Sequence, residues 1–66
     1  MQKHYNLSFK PGTVTEINGT KADLICEMQN IIEELSCLKE DDYGIDRTIL
    51  VYDTNGKDYI EARITD

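Results

Sequence analysis

The chain of 66 residues has no tryptophan, one proline, one histidine and four glycines. The lone histidine, His4, forms no Ser-His-Asp or Cys-His grouping at a meaningful spacing, and it reads as a solvated residue at a strand start. The glycines do not cluster into a phosphate-cradling loop. No apolar run approaches the roughly twenty residues of a membrane span, and no secretory or lipidation motif is present. The two cysteines, Cys26 and Cys37, lie eleven positions apart on one predicted helix. That places them about 16 Å apart, too far for a mutual disulfide. The expectation is a cytoplasmic protein with free thiols and no membrane contact. In that setting Asn6-Leu7-Ser8 and Asn18-Gly19-Thr20 match the glycosylation pattern by chance.

Basic residues are also scarce: seven against thirteen acids, for a net charge of −6. The charge is uneven. Residues 1–15 carry Lys3 and Lys10 and no acid, whereas residues 16–46 carry nine acids against Lys21 and Lys39. A chain this short makes one domain, residues 1–66. It sits near the lower size limit for independent folding, so it needs a well-packed core or self-association.

The strongest pattern runs from Thr20 to Leu38. Leu24, Ile25, Met28, Ile31, Ile32, Leu35 and Leu38 recur at spacings of three and four, which puts them on one side of a helix. Thr20 is a good N-cap, and Asp23 three places on makes a variant of the capping box. Glu40, Asp41 and Asp42 oppose the C-terminal dipole, so the helix is expected to end near Lys39. Gly44 suits a positive φ, and Ile45 is expected to enter the core.

Before the helix, Tyr5, Leu7 and Phe9 alternate with polar residues over 4–10, as in a half-buried strand. Pro11-Gly12 marks a turn, and residues 13–17 are β-prone enough to return as a short second strand. After the helix, two β-rich runs flank Asn55-Gly56, the signature of a two-residue type I′ hairpin. That register pairs Tyr52 with Tyr59, Val51 with Ile60 and Ile49 with Ala62. Ile49, Val51, Ile60, Ala62 and Ile64 then face the helix, and Leu50, Tyr52 and Tyr59 face away. Asp53 opposes Asp58 near the turn, a mildly unfavourable pair.

The expected class is α+β: a single helix on one face of a small mixed sheet in the order β-β-α-β-β. The first strand would pair in parallel with the last, and the order becomes βαββ if the second strand is absent. The element order resembles the β-grasp shape of small immunoglobulin-binding domains, a resemblance that implies an arrangement of elements and no function.

Nothing points to catalysis, a cofactor or a metal. Asp41, Asp42, Gly44 and Asp46 lack the ligand spacing of a calcium loop. On the outer side of the helix, Asp23, Glu27, Asn30 and Glu34 form a stripe at i, i+4, i+7 and i+11, with Glu33 beside it and no base at i+4 to neutralise it. With Asp41 and Asp42 at the same acidic pole, these residues are the leading candidates for docking on a basic protein, with a solvated, solubilising face as the plain alternative. A small non-enzymatic inhibitor or regulator of a nucleic-acid-binding protein, of the kind phages and mobile elements carry, fits this size and charge. A second reading places single-stranded nucleic acid on the outer sheet face, over Leu50, Tyr52, Tyr59 and Arg63. A third is a structural homodimer, with Ala22, Cys26 and Cys37 as a close helix contact.

Overall fold

The computed structural model describes residues 3–66. Four elements follow in order: β1 (Asn6–Pro11), α1 (Lys21–Ser36), β2 (Asp46–Tyr52) and β3 (Tyr59–Thr65). The chain is therefore α+β with βαββ order. Its three-stranded sheet is arranged β1-β3-β2, and both pairings are antiparallel. The expected second strand over 13–17 and the parallel pairing of the first strand with the last are both absent among the described residues.

One local arrangement accounts for both differences. After Pro11 the chain does not turn back along β1. It crosses the start of β3 instead: the N–H groups of Thr13 and Val14 both donate to the Tyr59 carbonyl, and the Tyr59 N–H donates to the Thr13 hydroxyl. Gly12 permits this crossing, because a Cβ there would lie 2.6 Å from the Tyr59 carbonyl oxygen. With no strand to reverse direction before the helix, β1 and β2 run the same way. The hairpin partner β3 fills the slot between them and is antiparallel to both.

The β2–β3 register is the expected one, with Val51 opposite Ile60 and Ile49 opposite Ala62. The turn is not the expected type I′, since among the described residues none other than glycine has a positive φ. The Gly56 N–H closes a turn on the Asp53 carbonyl, and Gly56 alone takes a positive φ of 71°. The result is a four-residue loop of the type I plus left-handed glycine kind. Asn55 holds it, its side-chain oxygen accepting from the N–H groups of Lys57 and Asp58. The Asp53 and Asp58 carboxylates, expected to repel, turn to separate partners, Asn18 and Asn55 respectively.

α1 starts at the expected cap, with the Thr20 side chain and the Asp23 carboxylate each accepting from the other residue's N–H. It ends at Ser36 rather than near Lys39. Asp42 accepts from the Lys39 N–H at 2.9 Å, which draws that segment into a turn of its own. Gly44 takes the expected positive φ, and Ile45 is buried. Both Asp66 carboxylate oxygens accept backbone N–H groups there, from Gly44 and Ile45. Burial pushes the Asp66 carboxyl up, but these bonds and Lys3 outweigh it and leave it below the ordinary value.

The core is Ile31 of α1 against Val51 and Ala62, with Ile17, Leu35, Ile49 and Ile60 packed around them. β1 contributes no residue to this cluster. α1 lies over β2, and its contact line runs through Ile31 and Leu35, so only one edge of the expected apolar stripe is covered. Leu24, Ile25, Met28 and Ile32 remain 39–56% exposed. Leu7 and Phe9 face the helix side of the sheet by register with Ile64 and Ala62, yet they too lie open. The radius of gyration, 13.0 Å, exceeds the roughly 11 Å usual for a chain of this length.

Candidate functional site

The acidic residues singled out by sequence do not act as one group. Asp23 is committed to the helix cap. Glu34 is half-buried and lies 3.5 Å from Arg47 of β2, so the stripe has a counter-charge, supplied by the sheet rather than by the helix. Glu27 and Asn30 have no side-chain hydrogen bond or ion pair among the described residues. Glu33 is exposed, and Cys26 on α1 and Cys37 at its C-cap are exposed too, as expected of outward thiols.

Asp41 and Asp42 were expected at the same pole as Asp23. They lie instead at the other end of a sixteen-residue helix, which is about 24 Å long. Their loop is drawn together around Lys3. The Lys3 ammonium donates to the Asp42 carbonyl, lies 3.4 Å from the Asp66 carboxylate and sits 4.7 Å over the Tyr43 ring. The Lys3 backbone N–H donates to Glu40. Lys3 and these hydrogen bonds make the loop a structural knot.

The fold brings a residue to the acidic stripe that the sequence pattern did not flag. Asp53, at the β2–β3 turn, joins Asp23 and Glu27 around an open cleft of about 480 Å³ whose walls include Ile17, Leu24 and Tyr52. Asp53 is held there by accepting the N–H groups of Asn18 at 3.2 Å and Thr54 at 2.9 Å. No lysine or arginine lines the cleft. Three carboxylates beside an aromatic ring, with apolar residues behind them, suit a cationic side chain with an apolar stem. The signal in the sequence was the hairpin register itself. It fixes Asp53 one residue beyond Tyr52, but only the tertiary placement of α1 shows what stands opposite.

On the outer sheet face, Tyr52 and Tyr59 pack with ring centroids 6.0 Å apart at 57°, within the range of stabilising aromatic pairs. Leu50 is 39% exposed beside them. Arg63 is not free, because its guanidinium donates two hydrogen bonds of 2.7 Å to Asp46. That fork holds the Asp46 carboxyl below its ordinary range and raises Arg63. Single-strand binding through Arg63 would compete with that pair. Tyr52 belongs to both surfaces, pairing with Tyr59 and lining the acidic cleft.

Among the described residues no three His, Cys, Asp or Glu side chains gather to hold a metal ion, and no helix is long and apolar enough to cross a membrane. The chain matches no family model, no curated protein and no solved structure.

Proposed function

We propose that this is a non-enzymatic protein-binding domain that docks on a basic partner surface through the N-terminal half of α1, as a cytoplasmic inhibitor or regulator of a nucleic-acid-binding protein. The observation that carries this reading is the cleft lined by Glu27, Asp23, Asp53 and Tyr52, with no lysine or arginine among the described residues that line it. A lysine or arginine of the partner enters there. Its stem lies on Leu24 and Ile17, and its charge meets the uncommitted carboxylate of Glu27. Arginine fits better than lysine, because its flat guanidinium stacks on Tyr52 and takes two carboxylates at once. The partner residues are thus narrowed from the whole acidic stripe to Glu27, Asp23 and Asp53. Asn30, Glu33 and the Asp41–Asp42 loop contribute only long-range attraction, which acts on association rate and falls with salt.

The test is a nuclear magnetic resonance titration with a short arginine-rich peptide, compared with its lysine counterpart. The reading expects shifts confined to Glu27, Tyr52, Asp53 and Asn18, tighter binding of the arginine peptide, and about tenfold weaker binding for Glu27→Lys. Shifts spread evenly over Asp41, Asp42 and Glu33, and equal for both peptides, would reduce the acidic surface to a solvated face.

A further inference from the structure

The flank of α1 opposite the acidic cleft carries a feature of its own. Ile25, Met28 and Ile32 form a ridge at i, i+3 and i+7 along the helix, 47%, 49% and 56% exposed. Beside it a hollow of about 370 Å³ opens between α1 and the sheet, lined by Phe9, Met28, Ile31 and Ile60 and also by Glu27. The surface patch along the ridge and the hollow share Leu24 and Met28, so ridge and hollow are neighbours on one surface.

We infer that this surface is a homodimer interface, in which the ridge of one copy fills the hollow of the other about a two-fold axis. Three observations select a second copy as the occupant. First, the surface is self-complementary: an apolar projection stands beside an apolar recess, which is what a two-fold contact requires. Second, the charge is arranged for it. Two chains of net charge −6 repel at long range, but the polar residues flanking the ridge are Lys21 and Gln29. Asp23, Asn30 and Glu34 line neither ridge nor hollow, and among the described residues Glu27 is the one acid lining the hollow, so a docked ridge flanked by Lys21 brings no second carboxylate to it. Third, the area is sufficient. Side chains of this size offer about 150–250 Å² each, so Leu7, Phe9, Leu24, Ile25, Met28 and Ile32 at their observed exposures leave roughly 500–600 Å² of apolar surface open. That is at the upper limit for the largest patch of an ordinary monomer. With its polar rim it reaches the 600–1,000 Å² or so that each partner gives to a stable dimer. A core with five buried apolar residues gains its missing layer from the second copy. The contact differs from a thiol-side helix contact, because neither Cys26 nor Cys37 lines the ridge or the hollow.

Sedimentation velocity of the intact chain from micromolar to millimolar concentration tests this. The weight-average mass should rise from one 7.6 kDa chain to two. Ile25→Glu and Ile32→Glu should each raise the dissociation constant by about 30-fold or more, as loss of a central apolar anchor does, with circular dichroism unchanged. Ile25→Lys should act the same way, so a folding defect in one variant does not decide the matter. Glu33→Lys on the far side should leave dimerisation within about twofold. A single-chain mass up to millimolar concentration overturns the inference, as does a dimer that is insensitive to Ile32→Glu or that breaks with Glu33→Lys. Because Ile25 and Ile32 do not line the acidic cleft, peptide binding by their glutamate variants reads the cleft separately, and failure of the dimer and failure of the cleft are distinguishable.

Discussion

The two flanks of α1 share one backbone and differ in what the sheet offers them. On the β2 side the helix meets Arg47, Asp53 and Tyr52, and its polar residues acquire partners or converge on a cleft. On the β1 side Phe9 and Met28 line an open hollow, and Ile25, Ile32 and Leu7 remain exposed. Apolar patterning alone therefore does not tell core from interface. Ile31 and Ile32 are adjacent and chemically identical, but Ile31 is 2% exposed and Ile32 is 56% exposed. The position of the helix over β2 makes the difference.

Truncating those two neighbours is the largest expected contrast. Ile31→Ala removes a packed side chain from against Val51 and Ala62 and should cost about 3–4 kcal/mol in urea denaturation. Ile32→Ala, measured where the chain is dilute, should cost no more than about 0.5 kcal/mol. Equal losses would mean that both flanks are buried in the single chain and would remove the distinction.

Gly12→Ala comes next. The new Cβ meets the Tyr59 carbonyl at 2.6 Å, and backbone on both sides limits relaxation. A loss of about 1–3 kcal/mol is expected. Thr20→Ala should cost about 1 kcal/mol through the cap, and by releasing Asp23 it should loosen the acidic cleft as well. A peptide titration on that variant would show whether Asp23 matters for more than the helix end. Glu34→Gln loosens only a partly exposed pair with Arg47, worth about 0.2–0.5 kcal/mol. Glu27→Gln should leave stability unchanged while weakening peptide binding.

Acid should act through the ends of the sheet. The carboxyls of Asp46 and Asp66 are both held below the ordinary value of 3.8 in the folded chain. Their stabilisation is therefore fully present above that value and is lost as pH falls below it. Asp46→Asn and Asp66→Asn should each flatten the stability profile below about pH 4, measured by thermal melting across the acid range. A profile as steep as the parent's would assign the acid sensitivity to other carboxylates.

Much of this architecture was legible in the residues. The helix, its cap, the hairpin register and the buried face of β2 and β3 follow from periodicity and turn chemistry, because each is decided within a short stretch of chain. The second strand over 13–17 was not, since Thr13 and Val14 are as β-prone as any strand residue. What settles them is the Tyr59 carbonyl, far away in sequence. The turn type differed for a similar reason: Asn55 spends its side chain on Lys57 and Asp58 rather than adopting a positive φ. The acidic stripe was visible as a pattern, but its division into a capping Asp23, a paired Glu34 and a free Glu27 depends on Arg47 and Asp53. The open apolar flank was hinted at by the breadth of the stripe from Leu24 to Leu38, wider than a three-stranded sheet covers when the helix sits to one side.

The measurement closest to the central claim is solvent accessibility along α1 in a concentrated sample, read from relaxation of side-chain signals by a soluble paramagnetic probe. The methyl groups of Ile25, Met28 and Ile32 should be protected at millimolar concentration and open on dilution, while Cys26 remains accessible throughout. Accessibility of Ile25 and Ile32 equal to that of Cys26 at every concentration would contradict it.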